Sequence, residues 1–90
     1  MNESGYSICR TTKGKLIRAP SVAGQAHTVS IPNNCPKGTK RVGAAHVHPS
    51  GDIHLSSQDK KAARDHRLKV VCMEAYKAGG ETKCYVFKHL

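Results

Sequence analysis

Two histidines separated by one residue, His46 and His48, are the side chains in this sequence best suited to metal chemistry. Side chains alternate across a β-strand, so in an extended segment both imidazoles lie on one face and can bind the same ion. Pro49 ends such a strand, and a helix that begins at Ser56 would bring Asp59 back as a third ligand. Three protein ligands and one water molecule form the open coordination of a catalytic zinc site.

This set of ligands indicates Zn²⁺, which binds imidazole nitrogen and carboxylate oxygen in a tetrahedral arrangement. Zinc lowers the pKa of a water in the fourth position to ~7 and polarises a substrate carbonyl. A peptide or isopeptide hydrolase also needs a carboxylate that takes a proton from the water and passes it to the leaving amine. The sequence offers three glutamates for this role: Glu3, Glu74 and Glu81.

The elements that must position these residues follow the predicted order β-β-β-β-α-β-β. The predicted strands cover residues 6–10, 16–18, 27–31, 41–48, 70–76 and 83–87. We expect residues 21–25 to be a connection of small residues. In the fourth strand Ala44, His46 and His48 share a face, and Val42 breaks the phase of the alternation.

The predicted helix begins at the N-cap Ser56, has a capping box with Asp59, and runs to residue 66. Together these elements predict an α+β fold: a small, mixed, mostly antiparallel sheet with one principal helix. One helix cannot cover both faces of the sheet. We therefore expect the other face to be polar and solvated, or to be covered by a partner chain.

A chain of 90 residues predicts a single domain over residues 1–90. The sequence contains neither an apolar run long enough to span a membrane nor a signal peptide, so we expect a cytoplasmic protein with no membrane partner. Fifteen Lys and Arg against six Asp and Glu give a formal charge of +9, which favours acidic partners. One Phe and three Tyr are too few for the stacking platform of a single-strand binder. Nucleic acid is therefore a possible partner that no motif supports.

Four cysteines, Cys9, Cys35, Cys72 and Cys84, show no Cys-x-x-Cys spacing, which argues against a zinc ribbon or a thioredoxin-type motif. Three of them lie in strand-like segments. In a chain without a signal peptide we expect buried free thiols. The even number leaves disulfides open for an exported protein or one from a hot environment.

The spacing from His46 to Asp59 resembles that of the JAMM metalloprotease motif. Here His-x-His is followed, after seven residues that begin with Pro49, by Ser-x-x-Asp. The extended form His-x-His-Pro-Ser-Gly-Asp, residues 46–52, looks closest to the RadC-like branch of that family. The resemblance implies a JAMM-like, deaminase-like core.

The resemblance also implies a role for each matching residue. In that family the two histidines and the aspartate, here His46, His48 and Asp59, are the zinc ligands. A serine at the position of Ser56 helps to stabilise the oxyanion. A glutamate near the start of the first strand is the general base, and Glu3 matches it in type and place.

The sequence therefore predicts a zinc-dependent metallopeptidase or isopeptidase acting on a protein or peptide substrate. In that reaction Glu74 is the fallback base, and His54 is a loop residue rather than a ligand, because a fourth protein ligand would close the water position. Two alternatives stay open. One is a non-catalytic JAMM- or RadC-like module that binds nucleic acid or protein through a basic surface. The other is an effector or toxin peptidase domain.

Overall fold

A computed structural model describes residues 2–24, 31–49, 53–76 and 80–88. Its elements are, in chain order, β1 (Ser4–Arg10), β2 (Leu16–Arg18), β3 (Val22–Ala23), β4 (Lys40–His48), α1 (Ser57–Asp65), β5 (Val70–Ala75) and β6 (Thr82–Val86). The strands form one sheet in the order β2-β1-β4-β5-β6, and β3 pairs with β1. The β4–β5 pair is parallel and the other pairs are antiparallel. The predicted α+β fold is confirmed.

The connection from β4 to its parallel neighbour β5 carries helix α1. The helix begins where predicted, because Ser56 Oγ accepts a hydrogen bond from the Asp59 backbone N–H, at 3.1 Å. The Asp59 carboxylate accepts one in return from the Ser56 N–H, at 3.2 Å. Ala63, which is 1% exposed, is the residue through which the helix packs on the sheet. Its partners in that core are Ala44, Leu68, Val71 and Met73.

The opposite face of the sheet has a smaller apolar cluster of Tyr6, Ala45 and Cys72. The Arg18 guanidinium lies 4.8 Å from the centre of the Tyr6 ring. Leu16 and Val86, on strands at the two edges of the sheet, are 58% and 76% exposed. This second face thus has a small buried cluster at its centre and exposed apolar residues at its edges. It is less polar than the solvated face that the sequence predicted as one of two alternatives.

A β-bulge interrupts the pairing of β1 with β4. Cys9 pairs with Arg41, whereas the preceding residue Ile8 pairs with Gly43, so Val42 has no partner on β1. This is the position at which the sequence alternation changes phase. From the pairing of Ile8 with Gly43 to that of Ser4 with Val47, the register is regular.

The strand pattern predicted from the sequence does not match the structure over residues 21–25, and the prediction over 27–31 falls largely outside the described residues. The segment 21–25 was predicted to be a connection, but Val22 and Ala23 form β3, which pairs with Gly5 and Ser4 of β1. A strand of two residues is too short to give an alternation pattern, so the prediction was wrong there. The strand predicted over 27–31 falls outside the described residues except for Ile31, which is not in a strand.

The prediction of free thiols was also wrong, because the four cysteines form two disulfides. Cys9 is bonded to Cys35, with 5.8 Å between their Cα atoms. Cys72 is bonded to Cys84, its direct neighbour across the β5–β6 pair. The sequence has no short Cys-x-x-Cys spacing, so this proximity arises only from strand register and from the return of the 31–39 segment to β1. Among the described residues, no helix is both long and apolar enough to cross a membrane.

Candidate metal centre

His46 and His48 lie at the end of β4, where the strand leaves the sheet towards the helix. Their ring centres are 6.3 Å apart, and the ring planes are inclined by 70°. Alternation along β4 places both on the face of Ala44, which packs beneath α1. The predicted arrangement of two imidazoles on one face of an extended strand is present.

The β1–β4 register brings Glu3 to this pair. Ser4 lies opposite Val47, so the next position along the ladder sets Glu3 opposite His48. Glu3 Oε1 is 3.6 Å from His48 Nε2, and the two side chains are 12% and 15% exposed. The Glu3 carbonyl also accepts a hydrogen bond from the Gly24 N–H, at 2.8 Å, just beyond β3. Glu3 is therefore held on both sides, although it is close to the start of the chain.

Glu3, His46 and His48 together form a group that could hold a metal ion. One ligand atom from each residue lies within 4.8 Å of the other two. Ligand atoms around a single tetrahedral zinc ion are roughly 3.4 Å apart, so small side-chain rotations would close this group on an ion. Two imidazoles and a carboxylate are also the donor types that zinc prefers. The residues present fit the metal.

Asp59 does not belong to that close group in the structure. Its carboxylate is held by the Ser56 backbone N–H in the capping box. Its charge nevertheless acts on His46, where it partly offsets the lowering of the imidazole pKa by burial. The first turn of α1 thus brings Asp59 within electrostatic range of His46. Its role as the third ligand stays a prediction.

The pKa of His46 is lowered from its ordinary value, chiefly because the ring is buried. The neighbouring His48 lowers it further, whereas Asp59 and Glu3 oppose the shift. The lowered pKa keeps the imidazole neutral at neutral pH. Since a neutral imidazole is the form that binds a metal, the site favours metal binding over protonation.

Gly5 is a residue of this site that sequence reasoning missed. It lies opposite His46 in the β1–β4 ladder. A Cβ atom on Gly5 would be 2.6 Å from the Ala45 carbonyl oxygen and 2.6 Å from Ile31 Cδ1. The missing side chain therefore lets Ile31 lie against β1 beside the histidine. A single glycine in a strand gives no indication of what approaches it, so only the tertiary structure shows this contact.

The 31–39 segment, which carries Ile31, is fastened to the sheet by several contacts. Ser7 Oγ donates a hydrogen bond to the Pro32 carbonyl at 2.9 Å, and Arg41 Nη1 donates one to the Ile31 carbonyl at 3.2 Å. The Cys9–Cys35 disulfide closes the same segment. These contacts hold the 31–39 segment, and with it Ile31, against β1 beside the histidines.

Glu74, the fallback base, lies on the wrong face of the sheet for catalysis beside His46. The Tyr6 hydroxyl donates a hydrogen bond to Glu74 Oε1 at 2.6 Å. Tyr6 pairs with Ala45, whose side chain points away from the histidine face. Burial, together with this hydrogen bond, raises the pKa of Tyr6 to about 12. Glu74 is therefore a hydrogen-bond partner of Tyr6 on the face away from the histidines.

The remaining residues of the motif region are less informative. His54 is exposed and lies outside the group of Glu3 and the two histidines. Ser50, Gly51 and Asp52, which complete the extended form of the motif, lie outside the described residues. The loop that follows them is anchored by Tyr85, whose hydroxyl donates a hydrogen bond to the Ile53 carbonyl at 2.8 Å.

Comparison with known proteins supports the fold. No protein-family model matches the sequence. No curated protein matches it either. Among solved structures, the crystal structure of a JAB1/MPN domain protein from Archaeoglobus fulgidus is similar, with a TM-score of 0.59 and 24% sequence identity. The match covers 94% of this chain and 70% of that one.

The fold of this chain is therefore of the JAB1/MPN type: a small α+β fold with a mostly antiparallel sheet. At this level of identity the likeness describes the backbone arrangement, and function must be argued from the site.

Proposed function

We propose that this chain is a zinc-dependent hydrolase that cleaves an amide bond in a protein or peptide, as a peptidase or isopeptidase. The observation that carries the proposal is the approach of Glu3 to His46 and His48, with ligand atoms within 4.8 Å of one another. Glu3 directly precedes β1, and the histidines end β4, the strand next to β1 in the sheet. The motif spacing and the JAB1/MPN-type fold support the same function.

In this proposal His46, His48 and Asp59 hold the metal. When bound, Zn²⁺ would supply Lewis-acid polarisation of the substrate carbonyl and a lowered pKa for water. The lowered pKa of His46 favours its neutral, ligating form. Asp59 sits in the first turn of α1, where the capping box fixes the backbone beneath its carboxylate.

Glu3 is the proposed general base. Its carboxylate is 3.6 Å from His48 Nε2. A water bound beside His48 would therefore be within reach of Glu3, which could accept its proton. It then returns that proton to the leaving amine. Because its backbone is fastened to Gly24 and its side chain is mostly buried, Glu3 needs little reorganisation to act.

Ser56 is the proposed donor to the oxyanion. Its Oγ already accepts the Asp59 N–H, and a hydroxyl has one proton of its own to donate as well as lone pairs to accept with. The capping bond therefore orients Oγ and leaves its O–H available for the developing negative charge.

The test begins with metal binding by the full chain. Zinc affinity is measured by competition with a chromophoric chelator, for the protein and for His46→Ala, His48→Ala and Asp59→Asn. We expect each of these to lose stoichiometric zinc. His66→Ala is the matched control, because His66 is exposed and lies outside the group, and it should bind zinc normally. Zinc binding that survives His46→Ala would refute the proposed centre.

The second measurement separates the ligand and base roles of Glu3. Hydrolysis of a quenched fluorogenic peptide library is followed in the zinc-loaded protein and in Glu3→Gln. A general base contributes roughly 10²–10⁴-fold, so Glu3→Gln should retain zinc and lose activity by about that factor. If Glu3→Gln loses zinc and Asp59→Asn keeps it, Glu3 is a ligand and the assignment of the base is wrong.

A further inference from the structure

At the end of β4 opposite to the histidines, the structure has a cleft of about 600 Å³ lined by basic side chains. The apolar residues of its lining are Val42 and Phe87. Six cationic residues line it, three arginines and three lysines: Arg10, Arg41, Arg67, Lys40, Lys69 and Lys88. His66 completes the lining, with Nδ1 at 3.4 Å from Arg41 Nη2. Among the described residues, none that lines this cleft is acidic.

Backbone pairing brings these charges together. Arg10 at the end of β1 lies directly opposite Lys40 at the start of β4. The Lys69 N–H donates to the Val42 carbonyl at 2.8 Å, and the Lys69 carbonyl accepts the Phe87 N–H at 2.9 Å. Arg10, Lys40 and Lys69 are thus fixed to the sheet at their backbones.

Within the described part of the chain, no acidic side chain pairs with the cations of the cleft. The Lys–Asp ion pair among the described residues, Lys61 with Asp65, lies on the exposed side of α1 and not in the cleft. None of the six lining cations forms an ion pair with an acidic side chain in the described part of the chain. The six positive charges around this cleft repel one another, so binding of a polyanion there is electrostatically favourable.

We propose that this cleft binds the phosphodiester backbone of a nucleic acid strand. A nucleic acid strand carries one charge for every nucleotide along a continuous backbone. Each nucleotide is charged whatever its base, whereas an acidic peptide is charged only at its Asp and Glu residues. A cleft lined by six cations therefore favours the nucleic acid strand. The arginines add planar forks that bind phosphate oxygens in pairs, and Val42 and Phe87 can contact sugar or base.

This site is separate from the proposed metal centre. Arg41 and His48 are seven residues apart on one strand, which corresponds to roughly 23 Å at 3.3 Å per residue. The proposal therefore does not rest on hydrolase activity, and variants in the cleft leave the histidines and Glu3 unchanged. Binding should be insensitive to sequence, because the cleft presents charges rather than a set of hydrogen-bonding groups for base edges.

The experiment measures fluorescence anisotropy of a labelled 15-nucleotide single-stranded DNA with the full chain, from 50 to 300 mM salt. The test variant is Lys40→Gln with Lys69→Gln. Loss of two phosphate contacts lowers the slope of log affinity against log salt by about 1.4, which is about a tenfold loss of affinity at 150 mM. Duplex DNA and RNA of the same sequence show which form of the strand is preferred.

The matched control is Lys13→Gln with Lys60→Gln, which removes the same charge from exposed positions that do not line the cleft. The control should weaken binding less than about threefold. Equal losses in both double variants would mean that diffuse surface charge binds the DNA, and would overturn the proposal. Tighter binding of a polyglutamate peptide than of any nucleic acid would also overturn it, in favour of an acidic protein partner.

Discussion

Replacing both Cys9 and Cys35 with alanine should destabilise the protein by about 3.5 kcal/mol. The two residues are separated by 26 positions, and a crosslink of that span removes this much loop-closure entropy from the unfolded chain. Replacing Cys72 and Cys84, separated by 12 positions, should have a smaller effect of about 2.8 kcal/mol. A domain of 90 residues has a total stability of only roughly 5–13 kcal/mol, so either loss is readily measured.

The two disulfides should also differ in their effect on the metal centre. Cys9–Cys35 fastens the segment that holds Ile31 against Gly5 beside His46. Cys72–Cys84 lies with the apolar cluster on the opposite face of the sheet. Loss of the first disulfide should therefore weaken zinc binding, and loss of the second should leave it nearly unchanged.

Urea unfolding of the two double variants gives the stability changes, and competition with a chromophoric chelator gives the zinc affinities. A thiol count on the denatured, unreduced protein comes first. Four reactive thiols in that count would show that neither bond forms and would refute the reasoning at its start. A larger stability loss for the Cys72–Cys84 variant would contradict the loop-length argument, and equal zinc affinities would contradict the proposed link to the site.

Three further substitutions test individual contacts. Gly5→Ala should destabilise the protein by about 1–3 kcal/mol in urea unfolding and weaken zinc binding, because the new Cβ would meet Ile31 at 2.6 Å; unchanged values for both would refute the packing argument. Ser56→Ala should lower stability by about 1 kcal/mol through loss of the helix cap, and a change near zero would show that the cap contributes nothing. In an alkaline absorbance titration, Tyr6→Phe should remove the ionisation at about pH 12. Burial and the hydrogen bond to Glu74 raise the native pKa of Tyr6, so the contribution of neutral Tyr6 to stability is complete below pH ~10 and falls as pH rises towards 12. The protein should therefore lose stability relative to the variant over that range.

Much of the fold could be predicted because local signals and tertiary structure agree. The helix is an example: Ser56 and Asp59 form a capping box in the sequence, and the same box starts α1 in the structure. The β5–β6 hairpin likewise follows from two β-prone segments around a turn. The strand β3 could not be predicted, since two residues give no periodicity. The disulfides could not be predicted because Cys72–Cys84 depends on the register of β5 and β6, and Cys9–Cys35 depends on the return of the 31–39 segment to β1.

The candidate site divides in a similar way. His46 and His48 are neighbours in sequence, so strand alternation alone predicts that they share a face. Glu3 is more than forty residues away, and only a family resemblance selected it from the three glutamates. The structure adds the physical reason, because Glu3 lies opposite His48, whereas Glu74 is hydrogen-bonded to Tyr6 on the other face.

The position of Glu3 depends on the bulge at Val42. On one side of the bulge Arg10 pairs with Lys40, and on the other side Ser4 pairs with Val47. If the pairing of Arg10 with Lys40 continued along the two strands with no bulge, Glu3 would lie opposite Val47. Its carboxylate would then point to the face of the sheet away from His48, because a shift of one residue exchanges the two faces of a strand. The extra residue Val42 therefore sets the register in which the acidic side chain of Glu3 meets the histidines. The chemistry proposed for the motif depends in this way on a residue outside it.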